Sequence, residues 1–143
     1  MLYKDFLTST TRCPFCEGER QEILLKNDLA FLTYALAPYH KHHLLVVPKA
    51  HMGAYGELQT KDHAAIQSLL DTGMQMLRRL GYSNMTILVR DGKESGKSVE
   101  HLHYHLIPDI RLGDVDHLGE ERRVLNQEEI VPLLQELRRA LSF

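Results

Sequence analysis

The sequence predicts an α+β fold built on an antiparallel sheet, and three observations carry that prediction. Short apolar runs fall in hairpin-like pairs instead of alternating with helices. One long stretch, residues 59–80, repeats its apolar side chains with the period of a helix. A third stretch, "VEHLHYHLIP" at 99–108, alternates polar and apolar residues with period two, as a strand with two unlike faces does. With 143 residues and 43% hydrophobic content, the chain suits one globular domain around a single core.

Residues 1–20 read as a loop that carries the cysteines. "QEILLKN" and "LAFLTYA" read as two strands turning at Asn27-Asp28, and "APYHKH" interrupts the pattern at Pro38. "HLLVVP", 43–48, is apolar and β-branched and reads as a buried strand. In the helix over 59–80 the apolar face gathers Ala65, Ile66, Leu69, Leu70, Gly73, Met76, Leu77 and Leu80, with Thr60 as N-cap and Gly81 at the C-terminal cap. "NMTILVR" reads as a further strand and "DGKESGKS", 91–98, as a polar glycine-containing loop. The strand 99–108 closes at Pro108, a charged connection covers 109–125, and "NQEEIVPLLQELRRALS" reads as a C-terminal helix capped by Asn126 and bent at Pro132.

Charge and composition narrow the function classes. Seventeen basic residues stand against 19 acidic ones, a net charge of -2, so no broad basic excess points to nucleic acid. No apolar run approaches the roughly 20 residues that span a bilayer. The start "MLYKDFLTSTTRCPFC" lacks a basic segment followed by a long apolar one, so neither membrane nor secretion is expected. Two cysteines, Cys13 and Cys16, form a CxxC, which in a chain without export signals reads as metal-binding or redox-active and suggests the cytoplasm. A thioredoxin-like CxxC would follow a strand and open a helix, whereas this one follows "TSTTR".

The nine histidines are the compositional oddity. His101, His103 and His105 share one strand face, successive rings roughly 7 Å apart at ~3.3 Å rise per residue, while Leu102, Tyr104 and Leu106 take the core face. A solvated face would serve as well with lysine, threonine or glutamate. A row on one straight strand converges poorly on a tetrahedral metal. Imidazole, however, is nucleophile, acid and base near neutral pH, and a neighbouring ring can hold an attacking ring in the right tautomer. The central ring, His103, is the natural nucleophile and phosphorus a fitting electrophile. In the loop just before, Gly92 and Gly96 let backbone amides approach an anion, Ser98 can donate to a phosphate oxygen, and Lys97, with Lys93, can offset charge. This is no Walker A motif, because the spacing before Gly96-Lys97-Ser98 is one short and a strand follows.

"HLHYHLI", "HHLLVVPKAH" and "DGKESGKSVEHLHYH" together resemble the hallmark stretches of the histidine-triad family, in the family's order and over roughly residues 13–111. The resemblance implies an antiparallel five-stranded sheet with two main helices, usually paired as a homodimer. It also implies a hydrolase cleaving at the α-phosphate of a nucleotide, such as a nucleoside phosphoramidate or dinucleoside polyphosphate. The whole chain, 1–143, would form one such domain, with 109–143 as a C-terminal connection and helix. His103 would attack phosphorus and form a nucleotidyl-histidine, His105 would hydrogen-bond beside it, and His43 would support the triad from upstream. Gly96, Lys97 and Ser98, with Arg90, would bind phosphate. Histidine at 105 favours water as acceptor; members with glutamine there resemble the galactose-1-phosphate uridylyltransferases. A nucleotidyltransferase or phosphorylase on the same site, and a non-catalytic zinc-stabilised nucleotide-binding module, are the competing readings.

Three positions depart from the family pattern. Arg90 stands where asparagine or glutamine is frequent, Lys97 where glutamine is frequent, and Ala35 where an acidic residue often binds ribose. Similar bacterial members hold a structural Zn²⁺ with two cysteines, the histidine after Pro-Lys and the first triad histidine; here these are Cys13, Cys16, His51 and His101. His40, His42, His63 and His117 read as surface residues.

Overall fold

The computed structural model describes residues 2–9, 13–16, 23–95, 97, 99–110 and 123–141. Gly96, Ser98 and His117, named above, lie outside the described residues. The chain divides into two compact units, residues 1–111 and 112–143.

The first unit is built on five antiparallel strands: β1 (Ile23–Lys26), β2 (Ala30–Tyr34), β3 (Leu44–Pro48), β4 (Met85–Val89) and β5 (Tyr104–Pro108). They lie in the order β1-β2-β3-β5-β4, so the last strand inserts between β3 and β4. The turn at Asn27-Asp28 closes the first hairpin, because Asn27 Oδ1 accepts the amides of Leu29 and Ala30 at 3.1 and 2.9 Å. Helix α1 (Tyr3–Ser9) precedes the sheet, and α2 (Thr60–Arg79) links β3 to β4.

Alternation sorts each strand between two faces. Leu32, Leu44, Val46, Tyr104 and Leu106 join Ile66, Leu69, Leu70 and Leu77 of α2 in the main core. Phe31, Leu45 and Val47 point the other way and pack with Phe15, Ala35 and Val99. That second face carries the histidines. Gly73 of α2 packs tightly against the sheet, since a Cβ there would stand 2.9 Å from Leu106 Cδ2.

Four expectations are corrected, the first being the loop over residues 1–20, within which Tyr3–Ser9 form α1. The α2 cap is Gln59, not Thr60: Asp62 lies three residues on and accepts the Gln59 amide at 2.8 Å, which selects Gln59 as the extended residue before the helix. Leu80 is 57% exposed, because the helix stops there and Gly81 turns the chain away with φ +99°. Strand β5 starts at Tyr104 and not near residue 99. The Leu102 amide donates to Met52 O at 2.6 Å, outside the ladder, so the segment before Tyr104 bends away from strand pairing.

The second unit holds α3 (Gln127–Leu141), which runs through Pro132. Asn126 caps it reciprocally with Glu129, side chain to amide at 3.0 Å one way and 2.9 Å the other, and Arg123 pairs with the same carboxylate. No described helix is long and apolar enough to cross a membrane.

Candidate active site and metal cluster

Antiparallel register explains how distant histidines meet. Leu45 of β3 pairs with His105 of β5, which makes His43 a diagonal neighbour of His105 on the same face. The two rings touch, His43 Nε2 to His105 Nδ1 at 2.9 Å, both nearly fully buried. His103 and His105 have ring centroids 4.8 Å apart. These three rings, with Arg90, Phe15 and Tyr39, line a cavity of about 480 Å³.

The hydrogen bonds fix which nitrogens carry protons. A carbonyl only accepts, so His103 Nδ1, 2.8 Å from His101 O, is the donor, and a neutral ring then leaves Nε2 with its lone pair. The Tyr39 amide donates to His43 Nδ1 at 3.2 Å, which puts the His43 proton on Nε2, facing His105 Nδ1. His105 therefore accepts on Nδ1 and holds its own proton on Nε2. The site presents one bare nitrogen, on His103, beside one N–H donor, on His105.

Burial keeps these rings neutral. It lowers the His43 pKa to about 4, helped by the His103 and His40 charges. It lowers His105 to about 3, helped by His103, His43 and Arg90. His103 is lowered as well, by burial first and then by the Arg90 and Lys97 charges, against the bond to His101 O. A neutral imidazole can attack; an imidazolium cannot.

The first histidine of the row, His101, expected from the sequence both in the catalytic row and among the metal ligands, faces the two cysteines. His101, fully buried, donates Nε2–H to Pro48 O at 2.8 Å, leaving Nδ1 bare. Cys13 Sγ and Cys16 Sγ both approach that Nδ1 at 3.4 Å, and His51 Nδ1 lies 3.1 Å from Cys16 Sγ. One lone pair serves two thiols poorly, whereas a shared cation accommodates all four. The four ligand atoms lie within 4.8 Å of one another and could hold a metal ion. The sulfur–nitrogen separations resemble the about 3.6 Å expected across a tetrahedral zinc centre. The Pro48 carbonyl behind His101 supplies the outer-shell partner that orients such a ligand.

The structure thus separates the predicted residues into two groups. His43, His103, His105 and Arg90 gather at the cavity; Cys13, Cys16, His51 and His101 gather beside it. Lys97 lies near enough for its charge to act on His103. Its ammonium donates to Gly53 O at 2.6 Å and Glu100 O at 3.4 Å, and among the described residues it does not line the cavity. Two contributors escaped the sequence reading. Phe15, between the cysteines, packs on His103 (centroids 5.1 Å) and His101 (5.8 Å). Tyr39 stacks on His43 at 5.7 Å while its amide holds the ring. An aromatic inside a CxxC was a visible signal for the first; a backbone amide leaves no signature in sequence.

The chain matches the profile of the family described as HIT domain over residues 18–111. It is 31% identical over 119 residues to an uncharacterised HIT-like protein of Methanocaldococcus jannaschii, covering 78% of this chain and 91% of that one. It is 30% identical over 100 residues to the adenosine 5′-monophosphoramidase of Schizosaccharomyces pombe, covering 67% and 73%. Among solved structures, the histidine triad nucleotide-binding protein of Candida albicans superposes with a TM-score of 0.74 at 19% identity, covering 92% of this chain and 98% of that one.

Proposed function

Since this chain belongs to the HIT domain family, we propose that it is a nucleotide hydrolase acting at the α-phosphorus through a nucleotidyl-histidine on His103. The observation that carries the reading is the tautomer pair at the cavity, a bare His103 Nε2 beside a protonated His105 Nε2. His103 Nε2 forms the bond to phosphorus while the bond to the leaving group breaks; His105 Nε2–H gives its proton to a departing nitrogen, or hydrogen-bonds to a departing phosphate oxygen, and a proton given up is recovered from the hydrolytic water. Water then cleaves the phosphorus–nitrogen bond, releasing a nucleoside monophosphate and restoring His103. The relationship to a phosphoramidase supports the substrate class. Gly96 and Ser98 are assigned to the phosphate on the sequence pattern alone, and a homodimer is proposed from the family resemblance.

We assign Zn²⁺ to Cys13, Cys16, His51 and His101, whose donor atoms and spacing fit a closed tetrahedral site. With four protein ligands the ion supplies structure, tying the N-terminal loop to the segments after β3 and before β5.

The test is His103→Ala. Turnover of a nucleoside phosphoramidate should fall by about 10³-fold or more, with circular dichroism and bound zinc unchanged. Acid-quenched wild-type enzyme should carry a nucleotidyl adduct on His103 by mass spectrometry. An unaltered rate in the variant would place the nucleophile elsewhere.

A further inference from the structure

Among the described residues that line the cavity, one carries a permanent charge, and it is the cation Arg90. No described acidic side chain lines it. Strand register explains the position of Arg90. Leu88 pairs with His105, so Arg90, two residues on and just past the end of β4, falls on the histidine side and lines the cavity with His103 and His105. No described carboxylate lies within ion-pair distance of Arg90. The other expected cation, Lys97, has turned its ammonium onto Gly53 O.

We propose that Arg90 is a specificity-determining residue that selects substrates whose leaving group is itself a phosphate. The preferred substrate is a nucleotide joined to further phosphate through an anhydride bond, over one joined to a neutral amine. This rests on the hydrolase reading above. When an anhydride is cleaved, the His103–phosphorus bond forms, the bond from phosphorus to the bridging oxygen breaks, and its electron pair leaves on that oxygen. A guanidinium beside the attacking ring meets that growing charge with paired N–H donors. When a phosphoramidate is cleaved, the departing nitrogen must instead gain a proton, which an adjacent cation opposes.

The test compares adenosine 5′-phosphoramidate with diadenosine triphosphate, which donate the same nucleotidyl group. Wild type should show the higher kcat/KM on the anhydride. Arg90→Gln should lower that value about 10- to 100-fold more than it lowers the value for the phosphoramidate. Arg90→Lys, which keeps the charge without the fork, should fall between wild type and Arg90→Gln on the anhydride. Equal losses on both substrates, or a preference that survives Arg90→Gln, would overturn the assignment of Arg90 while leaving the hydrolase reading intact. A wild-type protein that cleaves neither compound and forms no adduct on His103 would overturn both.

Discussion

His103 and His105 differ by what each nitrogen touches rather than by residue type. A carbonyl behind one ring bares its far nitrogen; an amide two rings away loads the other. The same burial links the relay to pH. His43 and His105 bind protons only near pH 4 and 3 when folded, but near 6.5 when unfolded. Between about pH 6.5 and those values the unfolded chain holds more protons, so stability is full above pH 6.5 and is lost as pH falls toward 4 and then 3. Imidazole resonances of these two rings, followed by NMR, should show no titration between pH 7 and 5, and the urea midpoint should drop across pH 6 to 4. A midpoint near pH 6.5 for either ring would contradict the burial argument. At this scale the residue types were legible in sequence, because period-two imidazoles and a CxxC are rare by composition. The tautomers were not, because they depend on Pro48 O, His101 O and the Tyr39 amide, backbone groups common to every residue.

At the scale of elements, α2 determines how tightly the site's scaffold closes. Gly73 faces Leu106, which is fully buried, with room for hydrogen only. Gly73→Val should cost about 2 kcal/mol in urea unfolding, since overpacking outweighs the gain in helix propensity. Leu106→Ala should cost about 2–5 kcal/mol by leaving a cavity in the same layer. An unchanged midpoint in Gly73→Val would mean that α2 does not rest on Leu106. Apolar periodicity made α2, β2, β3 and β4 readable. It misjudged the start of β5, because residues 99–103 keep the alternation of a strand while their neighbours have already diverged. It also assigned the helix cap one residue late, since a threonine at the right place outranks a glutamine by propensity, whereas Asp62 three residues on decides the matter.

At the scale of the whole molecule, the order of strands brings together residues more than 85 positions apart, with Cys13 against His101 at 3.4 Å. Replacing Cys13 and Cys16 by serine should reduce zinc from one ion per chain to none by native mass spectrometry, and lower the thermal midpoint by about 10 °C or more. An unaltered metal content would show that the thiols are not ligands. The family's order of motifs made the sheet foreseeable, whereas the depth of the cavity and the direction of Lys97 depended on side-chain packing that no motif encodes.

Phe15 directly precedes Cys16 and stands two residues after Cys13, while its ring rests against His103. Disturbing the thiol loop with a chelator or an oxidant should therefore reach the His103 ring before the sheet melts. Poisoned molecules would keep their shape and fall silent, and a purified sample could look intact by every optical criterion yet have stopped working.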